Sequence, residues 1–112
     1  MAIYTNLTVD QGADFSALID IADSTGNILN LTGYTVAGQV RKNYDSTAYT
    51  QFGATVSNAT GGVITILLTD TQTRSMTAGR YVYDVEITSS GGEVTRVLEG
   101  QVEVTPEVTR AS

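Results

Sequence analysis

The sequence predicts an all-β fold, a single antiparallel β-sandwich of about seven strands with one short helical turn near residues 69–76. Three observations lead there. Thr, Val, Ile, Tyr and Phe supply 45 of the 112 residues, and β-branched and aromatic side chains suit a pleated, half-buried surface better than a helix. Apolar and polar residues alternate with a period of two along most of the chain. Turn signals built from Gly, Asn, Asp and Ser recur about every 8–12 residues, the spacing of a two-sheet sandwich.

The elements follow in order. Ile3, Thr5, Leu7 and Val9 share one face of a first strand that ends at Asp10-Gln11-Gly12. Phe15, Ala17, Ile19 and Ile21 face inward on a second, with Ser16, Leu18 and Asp20 opposite. Ser24-Thr25-Gly26-Asn27 is a turn and Asn30-Leu31-Thr32-Gly33 a bend, where Gly26 and Gly33 supply positive φ at little cost. Tyr34, Val36, Gly38 and Val40 mark a third strand, followed by a polar loop from Lys42 to Ala48. Phe52, Ala54 and Val56 mark a fourth, and the apolar run Val63–Leu68 is a buried fifth. Thr69 caps the short helix with Asp70 in its first turn, and Gly79 ends it. Tyr81, Tyr83, Val85 and Ile87 alternate in the sixth strand. A hairpin at Ser89-Ser90-Gly91-Gly92 leads to the last, where Val94, Leu98, Val102 and Val104 share a face and Gly100 is a bulge or kink. Pro106 stops the ladder. The domain is therefore 1–105, with 1–8 as an N-terminal arm or strand and 106–112 as a polar tail.

Composition removes several functions. Without Cys or His there is no disulfide framework, thiolate nucleophile, imidazole base or histidine metal ligand. A net charge of −6 argues against nucleic acid or an anionic membrane surface as a partner. No apolar run approaches the ~20 residues that span a bilayer, and residues 1–10 lack the pattern of a signal peptide.

The remaining candidates for chemistry are few. Asp84 and Glu86 share a face, as do Glu99, Gln101 and Glu103, but that is also what a solvent-facing strand looks like. Asp20, Asp23 and Asn27 crowd one turn and carry calcium-type oxygen ligands, although an Asx-bonded turn accounts for them. Ser75 and Lys42 make a dyad only if folding brings them together. Gly61-Gly62 and Gly91-Gly92 are hairpin turns. No catalytic residue, metal site or cofactor is expected, and the chain is read as a non-enzyme. Arg41, Lys42, Tyr44, Tyr49, Arg96 and Arg110 are instead candidates for an interface, since Arg and Tyr anchor protein contacts. Arg80 and Tyr83 fall in the same stripe. The competing reading is that the tyrosines pack in the core or against hairpins.

Gly79-Arg80-Tyr81 resembles the tyrosine corner of immunoglobulin-like domains, in which the hydroxyl of a Tyr reaches back to the preceding loop. This makes Gly79 and Tyr81 structural and the sandwich Ig-like. Longer stretches point further: Asp14–Ile21, Asp23–Asn27, Leu31–Val36 and Gln39–Lys42, then Ala78–Ile87, Val94–Gly100 and Val102–Pro106. Over nearly the whole chain these resemble small Ig-like β-sandwich virion proteins of tailed bacteriophages and cyanophages, in particular the N-terminal domain of phage baseplate upper proteins. The resemblance implies a virion structural protein, made in the host cytoplasm and resident in the particle. It would serve as a tail, baseplate or neck adaptor or connector, in contact with other virion proteins and present as a homo-oligomer or in many copies. A capsid decoration protein contacting the major capsid protein is the alternative. A carbohydrate-binding module using Tyr4, Tyr44 and Tyr49 is a third reading, weakened by the absence of Trp.

Overall fold

A computed structural model describes residues 3–23 and 25–108. Among these, the alternating segments form β1 (Ile3–Tyr4), β2 (Leu7–Asp10), β3 (Phe15–Asp20), β4 (Thr35–Arg41), β5 (Thr50–Gln51), β6 (Gly53–Asn58), β7 (Val63–Leu68), α1 (Asp70–Ser75), β8 (Gly79–Thr88) and β9 (Val94–Thr105). One sheet runs β9-β8-β4-β5, with β1 and β2 both paired to the other side of β9; the second runs β3-β7-β6. The first of the seven expected runs is split at Thr5-Asn6. The fourth forms β6 on the small sheet, and the two-residue β5 just before it, which was not expected, joins the large sheet.

Taken from β3 onward, this is the strand order of an immunoglobulin-type sandwich: the second, fifth and fourth strands on one sheet, the third, sixth and seventh on the other. The expected all-β sandwich with one short helix is therefore what the chain forms. Its body is antiparallel, whereas β1 and β2 run parallel to β9. Alternation reveals which face a residue takes but not the direction of its neighbour, so this pairing was invisible in the sequence.

The core lies between the sheets. Leu31, Ile64, Ile66, Leu68, Ile87 and Leu98 are fully buried there, each worth about 1.5–3 kcal/mol of transfer free energy. Phe52 and Tyr83 meet edge to face, with ring centroids 6.0 Å apart. The hydroxyl of Tyr83 then reaches the other edge of the core and donates to the Thr5 carbonyl at 2.6 Å. Opposite Tyr83 on β9 stands Gly100, over which the N-terminal segment crosses. A Cβ there would lie 2.8 Å from the Thr5 carbonyl carbon and closer still to its oxygen. Gly100 is thus a site of close backbone approach and not the expected bulge.

The bulge sits at Val97. Register runs from Val85–Leu98 to Glu86–Arg96, leaving Val97 unpaired. Both Val97 and Leu98 turn into the core, and every side chain N-terminal to them changes face. Val94, expected beside Leu98, is consequently 56% exposed and pairs with outward-facing Thr88. Period-two reasoning fails wherever a strand carries an extra residue.

Burial raises the Tyr83 phenol from its ordinary value near 10 to about 12, with the nearby Tyr4 adding a smaller push the same way. The neutral phenol is the form the fold prefers. Stability is therefore full below about pH 10, falls as the unfolded chain ionises first, and levels off above about 12. The expected loss across that window is on the order of 2 kcal/mol. Urea titrations at several alkaline pH values measure it, and the slope should be shallower in Tyr83→Phe.

At the other end, α1 starts with a capping box. The Thr69 hydroxyl accepts from the Gln72 amide at 3.2 Å, and the Gln72 side chain accepts from the Thr69 amide at 2.9 Å. The helix ends at Ser75 with Met76 as its cap. Gly79, expected to end it, instead opens β8 with φ 142°. Gly26 and Gly33 take the positive φ expected of them, 91° and 84°. The helix is tied to the β2–β3 turn through buried Thr73. Its Oγ1 accepts from the Gly12 amide at 3.0 Å and donates to the Ala13 carbonyl at 2.9 Å.

Candidate interaction site

Outward residues of β4, β8 and β9 form rows across the large sheet. Gln39, Asp84 and Glu99 make one row, and Ala37, Glu86 and Arg96 the next. Arg96 and Glu99 are three apart and would point to opposite faces of a regular strand; the Val97 bulge brings both outward. Arg96 lies 3.3 Å from Asp84 and 3.5 Å from Glu99, a half-exposed network above a shallow depression of about 390 Å³. Arg41 and Tyr44 line its far side.

Arg41 organises the loop beyond β4. Its guanidinium donates to the Ser46 carbonyl and to Gln39 Oε1, and stands 4.8 Å from the centre of the Tyr49 ring. Asn43 closes the loop from inside: its Oδ1 accepts from the Asp45 amide at 3.2 Å and from the Ser46 hydroxyl at 3.1 Å. Tyr44 projects from this braced turn, 79% exposed. An exposed aromatic on a pre-organised loop loses little entropy on docking.

Four of the six expected interface residues therefore belong to one neighbourhood: Arg41, Tyr44 and Arg96 around the depression, with Tyr49 behind Arg41. Lys42 does not. It is the first residue past β4, and its Nζ lies 4.8 Å from the centre of the Tyr81 ring while donating to the Arg80 carbonyl at 3.0 Å. Arg110 lies outside the described residues. Tyr83 is core. The two signals the sequence reading missed are Asp84 and Glu99 as partners of Arg96, both of which follow once the bulge is known.

The other candidates separate. Ser75 donates to the Gln72 carbonyl, away from Lys42. Asp23 accepts from the Thr25 hydroxyl at 2.6 Å and from the Thr25 and Asn27 amides at 2.9 and 3.0 Å. The Thr25 hydroxyl bond leads in holding its carboxyl below the usual range, and the turn's amides add to it. Asp23 thus closes an Asx-bonded turn. Among the described residues, no cluster of acidic side chains is arranged to hold a metal ion, and no helix is long and apolar enough to cross a membrane. Tyr81 donates to the Thr77 carbonyl, four residues upstream, at 2.7 Å, which is the bond of a tyrosine corner.

Fold and site together define an Ig-like sandwich with a polar, aromatic-edged surface on its larger sheet. No family model matches the sequence, and no curated protein matches it. Similar solved structures include an internalin-like protein of Listeria monocytogenes, 18% identical with a TM-score of 0.44, where the match covers 89% of this chain and 27% of that one. Another is a family 123 glycoside hydrolase from Clostridium perfringens, 12% identical with a TM-score of 0.43, covering 94% of this chain and 23% of that one. The chain spans about a quarter of the length of each.

Proposed function

We propose that this chain is a non-enzymatic structural protein of a tailed-phage virion, working by protein–protein contact as an adaptor or connector of the tail, baseplate or neck. The virion assignment rests on the sequence resemblance described above, and the Ig-like strand order agrees with it. The observation that carries contact as the mode of action is Tyr44, held out to solvent by a loop that Arg41 and Asn43 brace from within. Arg96, Asp84 and Glu99 beside it offer both signs of charge, which selects register and partner more than it adds affinity.

Tyr44→Ala tests this. The residue is 79% exposed, so the isolated variant should fold and melt like the parent. If Tyr44 anchors a contact, its loss should weaken incorporation into particles about tenfold, read as the amount of chain in purified virions. Full incorporation of the variant would remove this surface from the proposal.

A further inference from the structure

We propose that the open edge of β3 pairs antiparallel with the same edge of a second copy, in a register centred on Leu18. Among the described residues four edges end the two sheets, and three carry interruptions. The β1–β2 edge breaks at Thr5-Asn6, β5 is two residues long, and β6 is irregular between Val56 and Asn58. Such features discourage pairing with another chain. β3 pairs with β7 through six consecutive residues, with no irregularity, and contains neither Pro nor Lys. In the usual immunoglobulin arrangement the first strand covers this edge; here it has gone to β9.

Direction and register follow from chemistry. The Ile21 amide donates to Gly62 on the β7 side, so by alternation the main-chain groups of Ser16, Leu18 and Asp20 point to the open side. A two-fold through Leu18 pairs Leu18 with its copy, Ser16 with Asp20, and Ala17 with Ile19. Leu18, 72% exposed, is then covered, Asp20 meets a hydroxyl, and the half-buried inward side chains meet apolar partners. Shifting the centre to Ala17 would set Asp14 against Asp20, a repulsive pair. Centring on Ile19 would set Leu18 against Asp20.

Charge favours the same approach. The outer face of the small sheet presents Ser16, Leu18, Gly53, Thr55, Thr65 and Leu67, with Asp20 as the one charged residue on its strands. Arg41, Asp84, Glu86, Arg96 and Glu99 face outward from the other sheet, ~10 Å beyond, so none of them meets the partner's β3. A contact one strand wide is far smaller than the ~800 Å² per partner of a stable interface. The pairing is therefore weak in solution and strengthened by crowding of copies.

The chain has no cysteine, so single-cysteine variants report proximity directly. Under mild oxidation of the concentrated protein, Leu18→Cys should form a disulfide dimer on the order of tenfold faster than Leu67→Cys or Thr55→Cys. Both control residues are on the same sheet face. In the paired dimer Leu67 would lie ~20 Å from its copy, three strand spacings across and four residues along. Equal rates for the three variants, no dimer from Leu18→Cys, or faster dimerisation through Thr55→Cys would each overturn the proposal. Because this test uses purified protein, its failure would leave the virion assignment standing.

Discussion

Gly100→Ala is expected to lower stability by about 3 kcal/mol or more and to loosen the N-terminal strand selectively. The new methyl group would occupy the place of the Thr5 carbonyl, so one of the two backbones must move. Overpacking of this kind costs about 1–3 kcal/mol. Displacing Thr5 also breaks its bond from the buried Tyr83 hydroxyl and its own amide bond to the Glu99 carbonyl at 2.8 Å. An unpaired buried phenol adds about 1–3 kcal/mol. The melting temperature should fall on the order of 15 °C. Hydrogen exchange should show residues 3–10 losing protection well before β7 and β8. A variant with parental stability and a protected N-terminal strand would mean that the crossing at Gly100 is not a constraint.

Thr73→Val should cost about 1–3 kcal/mol although it conserves shape. Thr73 is fully buried and is the one buried polar residue among those described. Its hydroxyl accepts from the half-buried Gly12 amide and donates to the carbonyl of the more exposed Ala13. Valine removes both bonds at the junction of α1 with the β2–β3 turn, and leaving a buried donor without a partner costs about 1–3 kcal/mol. Chemical denaturation measures the loss, and Thr73→Ser should recover most of it by keeping the oxygen. Parental stability in Thr73→Val would mean that the hydroxyl is incidental to the junction.

These two positions mark where the sequence was readable and where it was not. Alternation identified the strand runs because each side chain's face is a local property, and Thr69 followed by Asp70 announced the cap of α1, though not the return bond from Gln72. Tyr81 was legible because its corner bond closes over four residues. Partner choice between distant strands was not. Nothing local in Ile3–Asp10 says that it will run parallel to β9, and so nothing explained why Gly100 had to be a glycine. The Val97 bulge was hidden for the same reason, since an extra residue shows only against its partner strand. Once that bulge is known, Arg96 and Glu99 fall on one face and the candidate surface acquires its ion pairs.

On the proposed reading the molecule is a scaffold whose chemistry lies in its contacts. Its polar groups inside are satisfied, with no buried side-chain donor or acceptor left without a partner among the described residues. Exposed Tyr44 follows β4 of the larger sheet, whereas the open edge of β3 belongs to the smaller one, so the two proposed contacts use different parts of the surface.

Quantifying the chain in gradient-purified virions tests the central claim most directly. The account predicts that it co-purifies with the particle at a fixed ratio to a tail, baseplate or neck protein, and is retained after a salt wash. A ratio matching the major capsid protein would move it to the head as a decoration protein. Finding the chain only in the soluble fraction of the lysate, absent from intact particles, would contradict the assignment.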